Sequence, residues 1–233
     1  MTGRPAPVVL PPALRVGLGS IAALAALVVV LLGIRYGDAG GPGRADAWIL
    51  TAVDGAGPPW RYVALATDSL GEPVGAATLV AALVASCLLL RRPRAAVFLV
   101  VGVGISVGAT TLLKHLVGRT IHGGYLSYPS GHTAFATALA LVVAMLATRG
   151  RGRDRPGLGR TAGTLLVLAA ALIAGAAMGW AQVALGAHYP TDALGGWCTA
   201  LAVVPATAWA VDRVAEVARR KRNRRHVTSL PET

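Results

Sequence analysis

The sequence predicts an all-α membrane protein: a bundle of six transmembrane helices, with short interfacial helices in the first outer loop. Hydrophobic residues make up 55% of the 233-residue chain and charged residues only 14%, whereas soluble globular domains are about a quarter charged. The mean hydropathy is +0.61. The apolar residues also fall into stretches near the ~20 residues that a helix needs to cross a bilayer.

Six stretches satisfy this length requirement, and most have basic residues beside their ends. The predicted spans are 13–34, 74–90, 95–117, 132–148, 161–185 and 190–214. The first is longer than the apolar core of a cleaved signal peptide, which favours an uncleaved helix. Pairs of glycines four residues apart, Gly104 with Gly108 and Gly175 with Gly179, permit close helix approach in a bilayer.

The segments outside the spans differ in composition. Residues 1–12 are rich in proline and predicted to be disordered. Residues 36–73 are rich in Gly, Pro and Asp and contain aromatic residues suited to a membrane interface, which predicts short interfacial helices near 45–54 and 60–70. The chain is thus predicted to form one membrane domain over 13–217, followed by a basic tail over 218–233.

The distribution of basic residues predicts the orientation of the bundle. If the N-terminus is cytoplasmic, 17 of the 22 Lys and Arg residues lie on the cytoplasmic side. We therefore expect both termini inside, and anionic lipid headgroups as partners of the basic loops. The heavy use of Ala, Gly, Val and Arg is typical of a high-GC bacterium, so the predicted location is a bacterial cytoplasmic membrane.

Charge and cysteine content exclude some classes of function. The net charge is +12, but no basic stripe carries interleaved aromatic residues, so we expect no nucleic-acid partner. Cys87 and Cys198 both lie inside apolar stretches, where they resemble small hydrophobic residues. They form neither a disulfide framework nor a metal-ligand pattern.

The segment 128–133, with the sequence Tyr-Pro-Ser-Gly-His-Thr, precedes a long apolar helix. Ser130 is suited to cap that helix, and His132 falls in its first turn. Free N–H groups and the positive end of the dipole make such a helix start an anion site, and His132 there is a candidate proton donor. The alternative is an ordinary turn that ends in histidine.

A second polar pair brackets the start of the last span. His188 and Asp192 are four residues apart, so the carboxylate can accept a hydrogen bond from one imidazole nitrogen and leave the other unprotonated, as in nucleophilic sites. A helix cap beside an interfacial histidine explains the same residues. A zinc site is a further alternative, although the spacing matches no common zinc pattern.

The predicted topology brings these residues to one side of the membrane, the outer side. Ionisable groups at membrane depth are costly and usually functional. Eight polar residues from two separate loops share this side: Lys114, Arg119, His122, Ser130, His132, Gln182, His188 and Asp192.

These residues resemble the type 2 phosphatidic acid phosphatases, also called lipid phosphate phosphatases, which share a core with vanadium haloperoxidases. Three motifs mark that family: K-x6-R-P, P-S-G-H and S-R-x5-H-x3-D. The second is complete at 129–132, and the third keeps its His and Asp at His188 and Asp192. The first begins at Lys114. The resemblance covers roughly residues 75–212.

The resemblance implies a function and a role for each matching residue. His188 would attack phosphorus and form a phosphohistidine, Asp192 would orient it, and His132 would protonate the leaving oxygen. Lys114, Ser130 and Gly131 would bind the phosphoryl oxygens. No metal or other cofactor would be required, and the partner would be a lipid phosphate in the bilayer.

Two departures from the family pattern put catalysis in question. Ile121 and Gln182 stand where the family has phosphate-binding arginines, which offer bidentate, charge-assisted hydrogen bonds. Arg119 and His122, close to the first missing arginine, are candidates to compensate for it, and Gln182 can still donate a neutral hydrogen bond. The sequence therefore predicts an active but altered phosphatase. The alternative is a degenerate member that binds or transports a lipid phosphate.

Overall fold

The computed structural model describes residues 8–53, 57–148 and 160–228, and these are almost entirely helical. A short 3-10 helix, Pro12–Leu14, leads into the first helix. The α-helices are α1 (Arg15–Tyr36), α2 (Arg44–Val53), α3 (Pro58–Ser69), α4 (Pro73–Leu89), α5 (Pro93–Val117), α6 (Gly131–Ala147), α7 (Arg160–Ala184) and α8 (Pro190–Thr228). Between α5 and α6, β1 (Thr120–Ile121) and β2 (Tyr125–Leu126) form a small antiparallel hairpin.

Proline and glycine mark several helix ends. Helices α3, α4 and α5 each carry proline in their first turn. The N–H groups of a first turn have no acceptor within the helix, so proline costs no hydrogen bond there. Helix α5 ends at Gly118, which takes the left-handed conformation with φ of 68° and donates its N–H to the Lys114 carbonyl. This C-cap turns the chain directly into the hairpin.

The helices support a multi-pass membrane protein, as predicted. In the described part of the chain, four helical stretches have the length and hydropathy of a membrane span: Pro12–Tyr36, Pro93–Val117, Thr161–Ala184 and Pro190–Lys221. Helices α3 and α4 pass the same test only as a pair, bent by 57° at their junction. Helix α6 is apolar but has only 17 residues, so the count of six spans stays a prediction.

The N-terminal segment differs from the prediction of disorder over 1–12. Residues 1–7 lie outside the described residues, but Val9 and Leu10 are buried, and their N–H groups donate to the Asp212 carboxylate at 2.7 and 2.8 Å. Arg94 forms an ion pair with the same carboxylate at 2.9 Å. Two apolar side chains and a buried acceptor thus hold residues that composition alone assigned to a disordered tail.

At the other end of the chain, helix α8 continues past the predicted start of the basic tail at 218 and ends at Thr228. The domain boundary at 217 stays a prediction. The predicted basic loop after the fourth span lies largely within 149–159, outside the described residues. Helices near 45–54 and 60–70 were predicted, and α2 and α3 correspond to them.

The core lies among α1, α5, α6, α7 and α8, and one of the two predicted glycine pairs shapes it. A Cβ on Gly175 would lie 2.2 Å from the Trp197 ring, and one on Gly179 would lie 3.1 Å from the Ala193 Cβ. Helices α7 and α8 therefore approach closely at these glycines. At Gly104 and Gly108 no atom of the described residues lies within 4 Å of such an added atom, so the described helices do not use this pair for close packing.

Candidate active site

The turn before α6 is fixed from three directions. The Ser130 side chain accepts hydrogen bonds from the Thr133 N–H at 3.3 Å and the Thr133 hydroxyl at 3.0 Å, which confirms the predicted helix cap. The Ser130 N–H donates to the Asp192 carbonyl at 2.9 Å. The Tyr128 hydroxyl, fully buried, donates to the Val29 carbonyl of α1 at 2.8 Å.

Two adjacent glycines of α8 make room for this turn. A Cβ on Gly196 would lie 2.2 Å from the Ser130 carbonyl oxygen, and one on Gly195 would lie 2.4 Å from the Tyr128 ring. No side chain larger than hydrogen fits at either position without movement of the turn. These glycines set the distance between the starts of α6 and α8, and sequence analysis missed them.

The turn thereby faces the predicted nucleophile and its carboxylate. His188 is 7% exposed and Asp192 fully buried. The His188 Nδ1 lies 3.7 Å from the Asp192 Oδ2, beyond hydrogen-bond distance, and has no other hydrogen-bond partner in the described residues. Catalytic hydrogen bonds are often long in an empty site and shorten around substrate. The pair lies on the loop before α8 and its first turn, as the i, i+4 spacing predicted.

Burial and the neighbouring charges together favour the neutral form of His188. Burial lowers its pKa below the usual value of 6.5, and the nearby positive charge of Lys114 and the proximity of His132 lower it further, while Asp192 acts in the opposite direction. A neutral imidazole is the form that attacks phosphorus. Its environment therefore suits a nucleophile at neutral pH.

Lys114 lies in the last turn of α5, half-buried, and its Nζ donates to the Leu126 carbonyl at 3.0 Å. The hairpin strand β2 therefore positions this amine. An ammonium group has three donors, so Lys114 keeps two for a phosphoryl oxygen. At Gly131, the first residue of α6, an added Cβ would lie 3.6 Å from the Thr110 hydroxyl oxygen and within 4 Å of no other neighbouring group of the described residues.

Arg119 does not lie where a phosphate ligand would be expected. It is fully buried, and its Nη1 and Nη2 donate at 2.6 Å to Asp192 and Asp46, respectively. The rings of Tyr36 and Tyr189 lie 4.2 and 4.5 Å from its guanidinium carbon. The prediction that Arg119 replaces the missing family arginine therefore needs correction, because both of these nitrogens already bind carboxylates.

The other predicted compensating residue lies at the hairpin turn. His122 is exposed, has a positive φ of 49°, and its Nε2 lies 2.8 Å from the Gly186 carbonyl oxygen. Ile121 and His122 line a cavity of about 200 Å³ together with Leu50, Gly186, His188 and Tyr189. This cavity reaches His188 but not Lys114, Ser130 or His132, so it covers only one side of the candidate site.

The bent pair of α3 and α4 brings acidic residues to the opposite side. The His132 Nε2 lies 3.6 Å from both the Asp68 Oδ1 and the Glu72 Oε1. Gln182 is 2% exposed, and its Nε2 donates to the Asp68 carboxylate. One ligand atom each from Asp68, Glu72 and His132 lies within 4.8 Å of the others, so this group has the donor set for a divalent cation.

Sequence analysis thus missed Asp46, Asp68 and Glu72, although a signal for them existed. All three belong to 36–73, the acidic segment whose predicted position is on the same side as the polar cluster. No motif or spacing identified which of its carboxylates enter the site, because they approach from separate helices. The eight predicted residues themselves gather around the starts of α6 and α8 and the hairpin.

The fold and the site together define a multi-pass membrane protein with a buried histidine–aspartate pair beside a helix start. Residues 117–215 match the family model described as the PAP2 superfamily. This region therefore belongs to the superfamily of type 2 phosphatidic acid phosphatases, as the motifs predicted. Among curated protein sequences, none matched.

A solved structure has the same fold. It is described as the crystal structure of the first transmembrane PAP2 type phosphatidylglycerolphosphate phosphatase from Bacillus subtilis. The similarity has a TM-score of 0.61 and 20% sequence identity, and it covers 86% of this chain and 96% of that chain. At this identity the comparison establishes a shared fold, which includes helices before residue 117.

Proposed function

We propose that this protein is a membrane lipid phosphate phosphatase that hydrolyses a lipid phosphomonoester or a polyprenyl (pyro)phosphate through a phosphohistidine. The observation that carries the proposal is the convergence of buried His188 and Asp192 with Lys114 and the capped start of α6. Membership of the PAP2 superfamily and the shared fold support the same general class of activity.

The proposed reaction has two steps. The His188 Nε2 attacks phosphorus, a nitrogen–phosphorus bond forms, and the bond to the lipid oxygen breaks as His132 donates a proton to it. A water molecule then attacks the phosphohistidine and passes a proton to His132, which releases inorganic phosphate and restores both histidines. Lys114, the Ser130 hydroxyl and the Gly131 N–H stabilise the negative charge that develops on the phosphoryl oxygens.

The proposal is tested by phosphate release from purified protein on a panel of phosphatidic acid, phosphatidylglycerol phosphate, and a polyprenyl phosphate and diphosphate. We expect release from at least one substrate, and loss of release and of trapped phosphoenzyme in His188→Ala. His115→Ala is the matched control, because His115 is exposed and lies outside the site. Unchanged phosphate release in His188→Ala would contradict this mechanism.

We further propose that the site faces outward, with both termini in the cytoplasm. The support is the asymmetry of Lys and Arg residues. In a background that lacks Cys87 and Cys198, a cysteine at position 123 should react with an impermeant thiol reagent in intact cells. A cysteine at position 157 should not, and the reverse pattern would exclude this orientation.

One observation favours the alternative of a degenerate member that binds or transports a lipid phosphate. The Gln182 amide, at the position of a family arginine, is already bound to the Asp68 carboxylate. If the wild type is inert on the whole panel, and Ile121→Arg with Gln182→Arg creates turnover, this alternative is correct. Turnover by the wild type, lost in His188→Ala, excludes it.

A further inference from the structure

We propose that Asp46 of α2 is a positioning residue for the reaction: it holds Arg119, which in turn holds Asp192 behind His188. This inference rests on the proposed function. Asp46 lies outside residues 117–215, the region that matches the family model. The chain would thus complete its catalytic pair with a carboxylate from the segment that precedes that region.

The three residues form a continuous buried chain of charges. The Asp46 Oδ2 accepts from the Arg119 Nη2 at 2.6 Å, and the Asp192 Oδ1 accepts from the Arg119 Nη1 at 2.6 Å. All three side chains are fully buried. The other Asp192 oxygen, Oδ2, accepts from the Tyr189 N–H at 3.0 Å and faces the His188 Nδ1. Each carboxylate oxygen of Asp192 therefore accepts one hydrogen bond, which fixes the orientation of the carboxylate, and Oδ2 faces the imidazole.

Asp46 also joins α2 to the start of α8. Its Oδ1 accepts from the Thr191 N–H at 2.9 Å and the Thr191 hydroxyl at 2.8 Å, and its Oδ2 accepts from the Gly43 N–H at 2.9 Å. Burial opposes ionisation of this carboxyl, but the hydrogen bonds from Thr191, Arg119 and Gly43 outweigh it and lower the pKa of Asp46 below 3.8. Asp46 is therefore a carboxylate at neutral pH.

The charge of this group decides what Asp192 can do. Arg119 alone would neutralise Asp192, and a neutral pair attracts a positively charged imidazole only weakly. Asp46 adds a second negative charge, which leaves the group with a net charge of −1. Asp192 thereby keeps the charge needed to stabilise His188 as it becomes positive on attack. If Asp46 only held Arg119 in place, its negative charge would not be needed for the reaction.

Charged and titratable groups from three helices face His188. Lys114 from α5 and His132 from α6 lower its pKa, and Asp192 from α8 raises it. Arg119 and Asp46 act from behind Asp192. In Asp46→Asn the group becomes neutral, so the pKa of His188 should fall further and attack should slow.

The test compares Asp46→Asn with Asp38→Asn, which removes an exposed carboxylate from the same segment. Asparagine keeps the shape of Asp46 and the acceptor for Thr191. We expect kcat to fall by about tenfold to 100-fold, by analogy with the loss when a group that orients a metal-binding histidine is removed. The acid limb of kcat/KM should move to lower pH. Asp38→Asn should match the wild type.

A double-mutant comparison separates positioning from folding. If Asp46 acts through Asp192, Asp46→Asn should have little further effect on kcat in an Asp192→Asn background. A residue that only stabilises the fold would lower activity by the same factor in both backgrounds. Equal factors, or a wild-type pH profile in Asp46→Asn, would overturn the proposal.

Two further measurements cover the remaining outcomes. NMR titration of labelled histidine, with His188 assigned by His188→Gln, reports its pKa even if the wild type releases no phosphate, so a failed function and a failed positioning role are distinguishable. If Asp46→Asn does not fold, Asp46→Asn with Arg119→Gln removes one charge of each sign. The pKa of His188 should then stay near the wild-type value, and a large fall would contradict the charge argument.

Discussion

Gly196 sits where α8 meets the turn before α6, and Gly196→Ala should damage the site through its geometry alone. The added Cβ would lie 2.2 Å from the Ser130 carbonyl oxygen, and Cβ contacts under 3.0 Å essentially never occur. The turn or α8 must therefore move by at least about 0.8 Å. Because the atom contacted is backbone, no side-chain rotation relieves the overlap.

The movement has two consequences of known size. Overpacking of a well-packed contact costs about 1–3 kcal/mol, which exceeds the gain of up to about 1 kcal/mol from replacing a helical glycine with alanine. The same shift moves Ser130 relative to Asp192, whose carbonyl accepts the Ser130 N–H. A misplacement of about 1 Å can lower the rate of a catalysed step by about 100-fold.

The assay is a thermal unfolding midpoint in detergent together with phosphate release from the preferred substrate. Gly104→Ala and Gly108→Ala are the controls, since no atom of the described residues would lie within 4 Å of an added Cβ at either position. We expect both controls to be as stable as the wild type or more so. A Gly196→Ala variant with wild-type stability and activity would refute the argument from close packing.

Two further predictions concern charge in the site. In Lys114→Gln the pKa of His188 should rise, because Lys114 lowers it. The unprotonated imidazole is the nucleophile and is lost as pH falls through its pKa, so the acid limb of kcat/KM should move to higher pH. An unmoved limb would show that the two groups do not interact. The double variant Ile121→Arg with Gln182→Arg should raise phosphatase activity, because it restores the phosphate-binding charges. Adding Asp68→Asn to it should raise the activity further, because the Asp68 carboxylate, which now accepts from Gln182, would otherwise pair with the guanidinium introduced at position 182. No gain from the added Asp68→Asn would show that Asp68 does not compete with phosphate.

Local sequence features account for the parts of the structure that were predicted. The helical class follows from composition, the cap at Ser130 from residue type and position, and the facing of His188 and Asp192 from a spacing of one helical turn. Gly175 and Gly179 were identified by the same kind of pattern. Each of these signals depends on residues close together in the chain.

Arg119 illustrates where such signals end. Its position near the first motif suggested a phosphate ligand, but its partners, Asp46 and Asp192, are 73 residues away on either side. Side-chain direction at a hairpin depends on the turn, and the left-handed conformations at Gly118 and His122 rotate this segment. The residues near Arg119 in the sequence therefore predict neither its burial nor the carboxylates with which it forms ion pairs.

By itself, the sequence determined that the chain is a multi-pass helical membrane protein, that residues 117–215 belong to the PAP2 superfamily, and which short motifs carry its histidines and Asp192. Hydropathy and motif spacing are local properties of the sequence, so they can be recognised without information about how the helices pack. Tertiary structure alone decided that Asp46, Asp68 and Glu72 enter the site, that Gly195 and Gly196 admit the turn, and that Arg119 supports Asp192. The physical reason is that these contacts join segments far apart in the chain, and only packing of the helices brings their charges and surfaces together.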